Sequence, residues 1–393
     1  MDEQCRWEQG PIGVGVSGGS DSLALLVLTH DWAVRRGRSL IALTVDHGLR
    51  DGSRAEADYV ARVCDGLGVS HQILSWKPPG ASASAAEARL ARHTLLANAL
   101  RRLGGQYLLL GHTEDDQAET VAMRCQRGGG GLGQAGIRPV TVSPVWPDGR
   151  GIILIRPLLS ARRGQLRDIL QARDLTWIED PTNADPAYER VRMRAALETA
   201  PERRRDILAT QAIYADARRR QDAKLADWLL KHVKGSTDGL VRCHIGGLGD
   251  EDLAEGLSWL LMIASGTARR ARHHSRLSLA QDILSRSDWS GRTLGGAWIA
   301  PRKGMISIAR DPGGIEDRPA AGMEGGDIWD GRFEVVGPCS GAGQGPGVAT
   351  PEIGPMARPS YPHDLAARFV LKCLLPGRLE ALRGALSRPS VAV

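Results

Sequence analysis

Residues 12–22 read IGVGVSGGSDS. A short, β-branched apolar run breaks into Ser-Gly-Gly-Ser-Asp-Ser, and a helical pattern follows. The run 12–16 reads as a buried strand. The next stretch carries Leu23, Leu25, Leu26, Val27 and Leu28 and ends in Arg35-Arg36-Gly37, a basic last turn with a glycine stop. The loop therefore joins a strand to a helix N-terminus, where unpaired N–H groups and the positive end of the dipole meet. Gly18 and Gly19 let a ligand approach the backbone, and Ser17, Ser20 and Ser22 add hydroxyls. That is a phosphate or pyrophosphate site, or else a Ser/Gly turn with an ordinary N-cap at Ser20 or Asp21. It has neither the Lys-Ser/Thr ending of a Walker A loop nor a clean G-x-G-x-x-G.

The same alternation continues outward. Residues 40–45, 71–76 and 107–110 read as strands, and 54–67, 85–103 and 114–126 as helices. Strands alternating with helices of this length predict an α/β fold with a doubly wound parallel sheet. Such sheets bind ligands at the carboxyl ends of their strands. Three polar clusters fall there: 17–22, Asp46-His47-Gly48 and 111–116. Asp46 and His47 either contact a nucleotide or make the turn. In GHTEDDQAET (111–120), Asp115, Asp116 and Glu119 open a helix, where carboxylates also serve as caps. Packed beside His112, they suit a magnesium ion, a substrate ammonium, or both.

Further along, 128–136 is a mobile loop by composition, followed by a hairpin-like pair near 141–145 and 152–155 and a helix N-capped by Ser160. In 177–194, Asp180-Pro181-Thr182-Asn183 makes a turn. Arg190 and Arg194 then share a helix face that suits phosphate, while Arg192 points elsewhere. Residues 201–234 read as a long helix with nine Lys/Arg against five Asp/Glu, including Arg203, Arg204, Arg205 and the 218–220 triplet. A second basic helical run spans 256–286. The segment 312–362 is Gly/Pro-rich, with one strand near 328–336.

The chain has 393 residues, a formal net charge of +6 and no C-x-x-C among its six cysteines. The charge favours a polyanionic partner. The cysteine spacing argues against a zinc ribbon, an iron–sulfur cluster and a disulfide scaffold. The first residues do not read as a signal peptide, and no apolar run reaches membrane length, so a cytoplasmic protein is expected.

SGGSDS resembles the pyrophosphate loop (PP-loop) of the N-type ATP pyrophosphatases. With TVDHGLR (44–50), GHTEDDQAET, the step Arg156-Pro157-Leu158-Leu159 and EDPTNADPAYERVRMR (179–194), in this order, the chain resembles the bacterial tRNA(Ile)-lysidine synthetases over about residues 10–200. Two departures stand out. Thr113 stands where the family usually has a second histidine, and GGGGLGQAGI follows Arg127 in place of a Gly-Ser-Gly-like segment.

The resemblance implies an adenylation domain over 1–200, a helical basic tRNA-binding domain over 201–290 and a small irregular region over 291–393. It implies ATP and Mg2+, with L-lysine and the anticodon loop of a minor tRNA(Ile) as partners and no membrane. Ser17, Gly18, Gly19, Ser20, Asp21, Ser22, Asp46 and His47 would bind the nucleotide. Asp21, His112, Asp115, Asp116 and Glu119 would serve catalysis, and Arg190, Arg192, Arg194, Arg203, Arg204 and Arg205 the tRNA. Thiolation on the same fold, an amidotransferase-type ligase and a silent tRNA-binding protein are the competing readings. The missing C-x-x-C, the lack of a glutaminase domain and the intact SGGSDS weigh against each in turn.

Overall fold

The computed structural model describes residues 10–48, 52–78, 83–180, 185–236, 239–285, 289–302, 304–314, 328–338 and 369–387. Packing divides the chain into two compact units, Met1–Ala223 with Ala385–Val393, and Lys224–Gly384.

The first unit holds β1 (Ile12–Gly15), α1 (Ser20–Arg36), β2 (Leu40–Asp46), α2 (Ser53–Leu67), β3 (Ser70–Ser75), α3 (Ala85–Arg102), β4 (Tyr107–Leu110) and α4 (Glu114–Gln126). After a 3-10 turn at Gly131–Ala135 come β5 (Val140–Val142), β6 (Ile153–Ile155), α5 (Arg163–Gln171), α6 (Glu189–Glu198) and α7 (Pro201–His232), whose residues from Lys224 on belong to the second unit. The six strands lie in the order β3-β2-β1-β4-β6-β5. All pairs are parallel except β5 against β6.

Both faces of the sheet are buried, which is why β4 is apolar at every position. Tyr107 and Leu109 join the core shared with α1, α2 and α5, while Leu108 and Leu110 join the one beneath α3. Strand order reverses between β1 and β4. The chain leaves these neighbours in opposite directions and opens a crevice at their carboxyl ends. The loops 17–22 and 111–113 flank it.

Helix ends follow local chemistry. Ser84 and Glu87 cap α3 reciprocally, and Gly37, at φ +59°, closes α1 behind Arg35 and Arg36. Two expectations fail. Ser160 does not cap α5: the N-cap is Arg162, whose backbone N–H donates to Gln165 Oε1 at 2.9 Å. Residues 158–161 instead form a turn whose Ala161 carbonyl accepts the Glu114 N–H at 3.0 Å. The glycine-rich segment is not a loose loop either. Arg124 donates to the carbonyls of Gly133 and Gly136, Arg218 to those of Leu132 and Gly136, and Gln211 to that of Ala135. Glycine leaves carbonyls uncovered, and long donors reach them.

In the second unit, β7 (Val233–Gly235), β8 (Val241–His244), β9 (Arg292–Leu294), β10 (Ala297–Arg302) and β11 (Met305–Arg310) form an antiparallel sheet in the order β7-β8-β11-β10-β9. β8 pairs with β11, so one sheet joins residues on both sides of position 290. The run 256–286 is two helices, α8 (Asp250–Ser265) and α9 (His273–Ser285), because Gly266 at φ +69° stops the first. The strand expected near 328–336 is a hairpin of β12 (Ile328–Trp329) and β13 (Phe333–Pro338), with β14 (Phe369–Cys373) on its other side, and α10 (Leu375–Leu386) follows. Most of the Gly/Pro-rich segment, and the Pro181-Thr182-Asn183 turn, lie outside the described residues.

Candidate active site

The loop after β1 is tied by its own serines. Ser22 Oγ accepts the Ser17 N–H at 3.1 Å and donates to the Gly19 carbonyl at 3.0 Å. Ser20 Oγ donates to Asp21 Oδ1 at 3.1 Å. The N-cap of α1 is Gly19, and no side chain caps the helix. The ordinary cap at Ser20 or Asp21 is therefore absent, and the first turn keeps its N–H groups for an anion. Gly18 sits at φ +87°, and a Cβ there would lie 2.5 Å from Ile178 Cδ1. Its carbonyl accepts the Ile178 N–H at 2.9 Å, pinning the loop to the strap that follows α5. At Gly111 a Cβ would lie 2.9 Å from the Asp21 carbonyl, so only glycine lets β4 end this close to α1.

Across the crevice, Thr113 caps α4. Its Oγ1 accepts the Asp116 N–H at 3.3 Å, and its own N–H donates to Asp116 Oδ2 at 2.7 Å. The residue that replaces the family's second histidine thus orients a carboxylate. Every acid of this turn meets an arginine from elsewhere. Arg163 donates from Nε to Asp21 Oδ2 at 3.0 Å, lies 3.6 Å from Asp116 and gives its backbone N–H to Asp115 at 2.8 Å. Arg190 binds Asp116 at 2.6 Å and Glu119 at 2.5 Å, and Arg194 takes the other Glu119 oxygen at 2.8 Å. Arg204 donates to Glu114 at 2.8 Å and Asp115 at 3.2 Å.

Burial raises the Asp21 carboxyl above its ordinary range, and Arg163 holds it partly down. Burial works against the charge of Arg190, but Asp116 and Glu119 outweigh it and keep the guanidinium above its usual range.

The arginine spacing was legible: Arg190 and Arg194 converge on Glu119, while Arg192 turns back to the carbonyls of Pro186 and Ala187. Their partners here are carboxylates. Of the next triplet, Arg204 faces inward, whereas Arg203 and Arg205 are exposed, the latter paired with Glu202.

Asp46 makes its turn, accepting from Gly48 N–H at 3.0 Å and Ser53 Oγ at 2.6 Å. The Ser53 bond leads in holding its carboxyl below the usual range. His47 packs edge-on against Trp76 at 5.7 Å. His112, directly after β4, is pushed down to about 2 by burial and by Arg156, Arg190, Arg92 and Arg89. Its ring is held neutral, and its buried Nδ1 has no hydrogen-bond partner among the described residues. A ring held neutral in this way suits hydrogen bonding.

The sequence did not single out Arg163, Arg89, Arg92 or His93. The spacing of Arg89 and Arg92 by one turn was visible, but it looks the same on any solvated helix face until the sheet locates α3.

Among the described residues, no three His, Cys, Asp or Glu side chains are grouped to hold a metal alone, and no helix is long and apolar enough to cross a membrane. Burial pushes the thiols of Cys64 and Cys243 up to about 12, which suits packing and not sulfur chemistry.

The PP-loop domain family matches residues 3–200. The tRNA(Ile)-lysidine synthase of Hyphomonas neptunium is 44% identical over 311 residues, covering 79% of this chain and 84% of that protein. That of Mesorhizobium japonicum is 37% identical, covering 82% and 71%, and that of Caulobacter vibrioides is 32% identical, covering 98% and 95%.

Proposed function

The chain belongs to the tRNA(Ile)-lysidine synthase family of PP-loop proteins, and on that premise we propose an ATP-dependent ligase that joins L-lysine to the wobble cytidine in the anticodon loop of a minor tRNA(Ile). The cytidine carbonyl oxygen attacks the α-phosphorus of ATP, and pyrophosphate leaves. The lysine amino nitrogen then attacks the activated ring carbon, and AMP departs with the oxygen. A loop base is already unstacked, so its exposure costs little.

One observation carries the reading: the uncapped N-terminus of α1, wrapped by Ser17, Gly18, Gly19, Ser20 and Ser22, faces a buried acidic turn at the point where strand order reverses. The amides and hydroxyls stabilise charge as pyrophosphate forms. Asp116 and Glu119 attract the lysine ammonium in exchange for Arg190, and the released guanidinium turns to phosphate. His112, neutral, hydrogen-bonds the substrate.

Magnesium fits the donors: Asp21 and Asp116 approach the same Arg163 guanidinium, and paired carboxylates completed by phosphate oxygens are what that ion takes. Held by Asp21 and Asp116, it would supply neutralisation of the phosphate charge. Exposed Arg203 and Arg205 serve the tRNA backbone, and the protein works in the cytoplasm.

The test incubates the full chain with ATP, lysine and the minor tRNA(Ile), omitting each in turn. The expected product is tRNA heavier by one lysine less water, with one AMP and one pyrophosphate per tRNA. No mass gain in the complete mixture overturns the ligase, and AMP release without tRNA overturns the order of steps.

A further inference from the structure

Two arginines on α3 stand beside the crevice, and no carboxylate among the described residues neutralises them. Arg89 and Arg92 lie one turn apart, and neither has a hydrogen-bond or ion-pair partner among the described residues. The contrast with α4 is sharp: Arg163, Arg190, Arg194 and Arg204 all meet carboxylates there. Arg89 and Arg92 instead feel each other, and both feel Arg190. Together with Arg156 they crowd His93 and His112. Arg156 is itself committed to the Arg138 carbonyl and Thr141 Oγ1.

A second observation lies directly behind them. His93 is 3% exposed, and neither ring nitrogen has a partner among the described residues. Native proteins leave few buried polar groups unpaired, and each one calls for an explanation. Like charges gathered without a counter-charge call for one too. An anion answers the gathered charge, because guanidinium forks bind phosphate in a bidentate way, while the His93 ring, closed off from solvent and held neutral, adds no charge behind the pair.

The source of that anion follows from the sheet. The nucleotide's phosphates have the N-terminus of α1, whose helix packs on one face, whereas α3 packs on the other. We propose that Arg89 and Arg92, backed by His93, seat a phosphodiester of the RNA strand next to the target nucleotide. The seat fixes the strand at the carboxyl ends of β2 and β4 while the base enters the crevice. This inference rests on the RNA-modifying reading above.

The test uses the full chain, with Arg89→Gln/Arg92→Gln as the variant and an anticodon stem-loop RNA as the probe, titrated at several salt concentrations without lysine or turnover. The variant should bind RNA about tenfold more weakly at low salt. Its log–log salt slope should be shallower by roughly 0.7, because one phosphate of the strand is no longer neutralised. Its ATP affinity should stay within twofold of wild type. A neutral methylphosphonate at the linkage flanking the target should weaken wild type and leave the variant unaffected. The melting temperature should hold or rise, because repulsion is relieved, whereas a purely structural pair would lower it.

An unchanged slope with normal RNA binding by wild type overturns the seat alone. A loss of ATP affinity in place of RNA affinity assigns the phosphate to the nucleotide and also overturns it. Failure of wild type to bind the RNA at all overturns both the seat and the RNA-modifying reading.

Discussion

Arg190 holds two carboxylates of α4 at once, Asp116 Oδ1 at 2.6 Å and Glu119 Oε2 at 2.5 Å. Glu119 is 2% exposed, and its second oxygen belongs to Arg194. In this state the acids proposed for the lysine ammonium are closed by arginine, so a cationic substrate enters by exchange. Arg190 suits that exchange because its side chain is 44% exposed, and the incoming ammonium supplies the positive charge that buried Glu119 would otherwise lose.

Glu119→Gln should therefore separate substrate binding from fold. It leaves two guanidinium groups short of one charge, and stability should fall by about 2 kcal/mol, since both arginines can relax toward solvent. The lysine requirement should rise at least tenfold, with ATP affinity nearly unchanged. Urea denaturation and a lysine titration of AMP release check both. An ordinary lysine titration would reduce the acidic turn to a helix cap.

Asp21 makes a pH prediction. Burial raises its folded pKa above 3.8, so the acting carboxylate is lost at a higher pH than an ordinary aspartate would lose it. The acid limb of kcat/KM for AMP formation, which reports the free enzyme before ATP and magnesium bind, should lie above the usual aspartate range. Arg163 opposes the shift, so Arg163→Gln should move the limb to still higher pH. A limb that stays fixed in Arg163→Gln would detach it from Asp21.

The buried histidines should make the first unit acid-sensitive. His93 is pushed down from 6.5 to about 3 and His112 to about 2, burial leading in both. Between 6.5 and those values the unfolded chain binds more protons than the folded one, so stability falls as pH drops through that window. The slope should be about 1.4 kcal/mol per pH unit for each ring. Urea midpoints at pH 7, 6 and 5 should converge toward a flatter line in His93→Gln. An unchanged slope would mean that His93 protonates freely in the fold.

The alternation of strands and helices was legible because each strand's apolar run and each helix's caps are local. SGGSDS was legible for the same reason. The partners of Arg190 and Arg194 were not. Their spacing fixes a shared face, but whether that face meets phosphate or Glu119 depends on where α6 packs, 71 residues from its target in sequence. Arg163 was missed because it is one basic residue in a basic stretch, and only the turn at 158–161 aims it at Asp21. The glycine-rich segment was misread because composition reports the freedom of the unfolded chain. The order comes from Arg124 and Arg218, donors outside the segment.

That last point divides the basic residues of α7 into two classes. Arg218 is 9% exposed and gives its guanidinium to the carbonyls of Leu132 at 2.6 Å and Gly136 at 3.1 Å. Arg203 is exposed, and Arg205 pairs only one turn back with exposed Glu202. Arg218→Gln should leave the Leu132 carbonyl without its donor, while Gly136 keeps Arg124, and cost about 1–3 kcal/mol. Hydrogen exchange over 128–136 should speed up, while the salt dependence of tRNA binding stays put. Arg203→Gln/Arg205→Gln should do the reverse. The melting temperature should hold, and the log–log salt slope should flatten by roughly 0.7–0.9 for each phosphate left without its arginine. The two variants, each measured by exchange and by tRNA titration, cross over if one arginine is structural and the others bind RNA. A flattened slope in Arg218→Gln with unchanged exchange would reverse the assignment, because it would show the buried guanidinium neutralising a phosphate and not holding the segment 128–136.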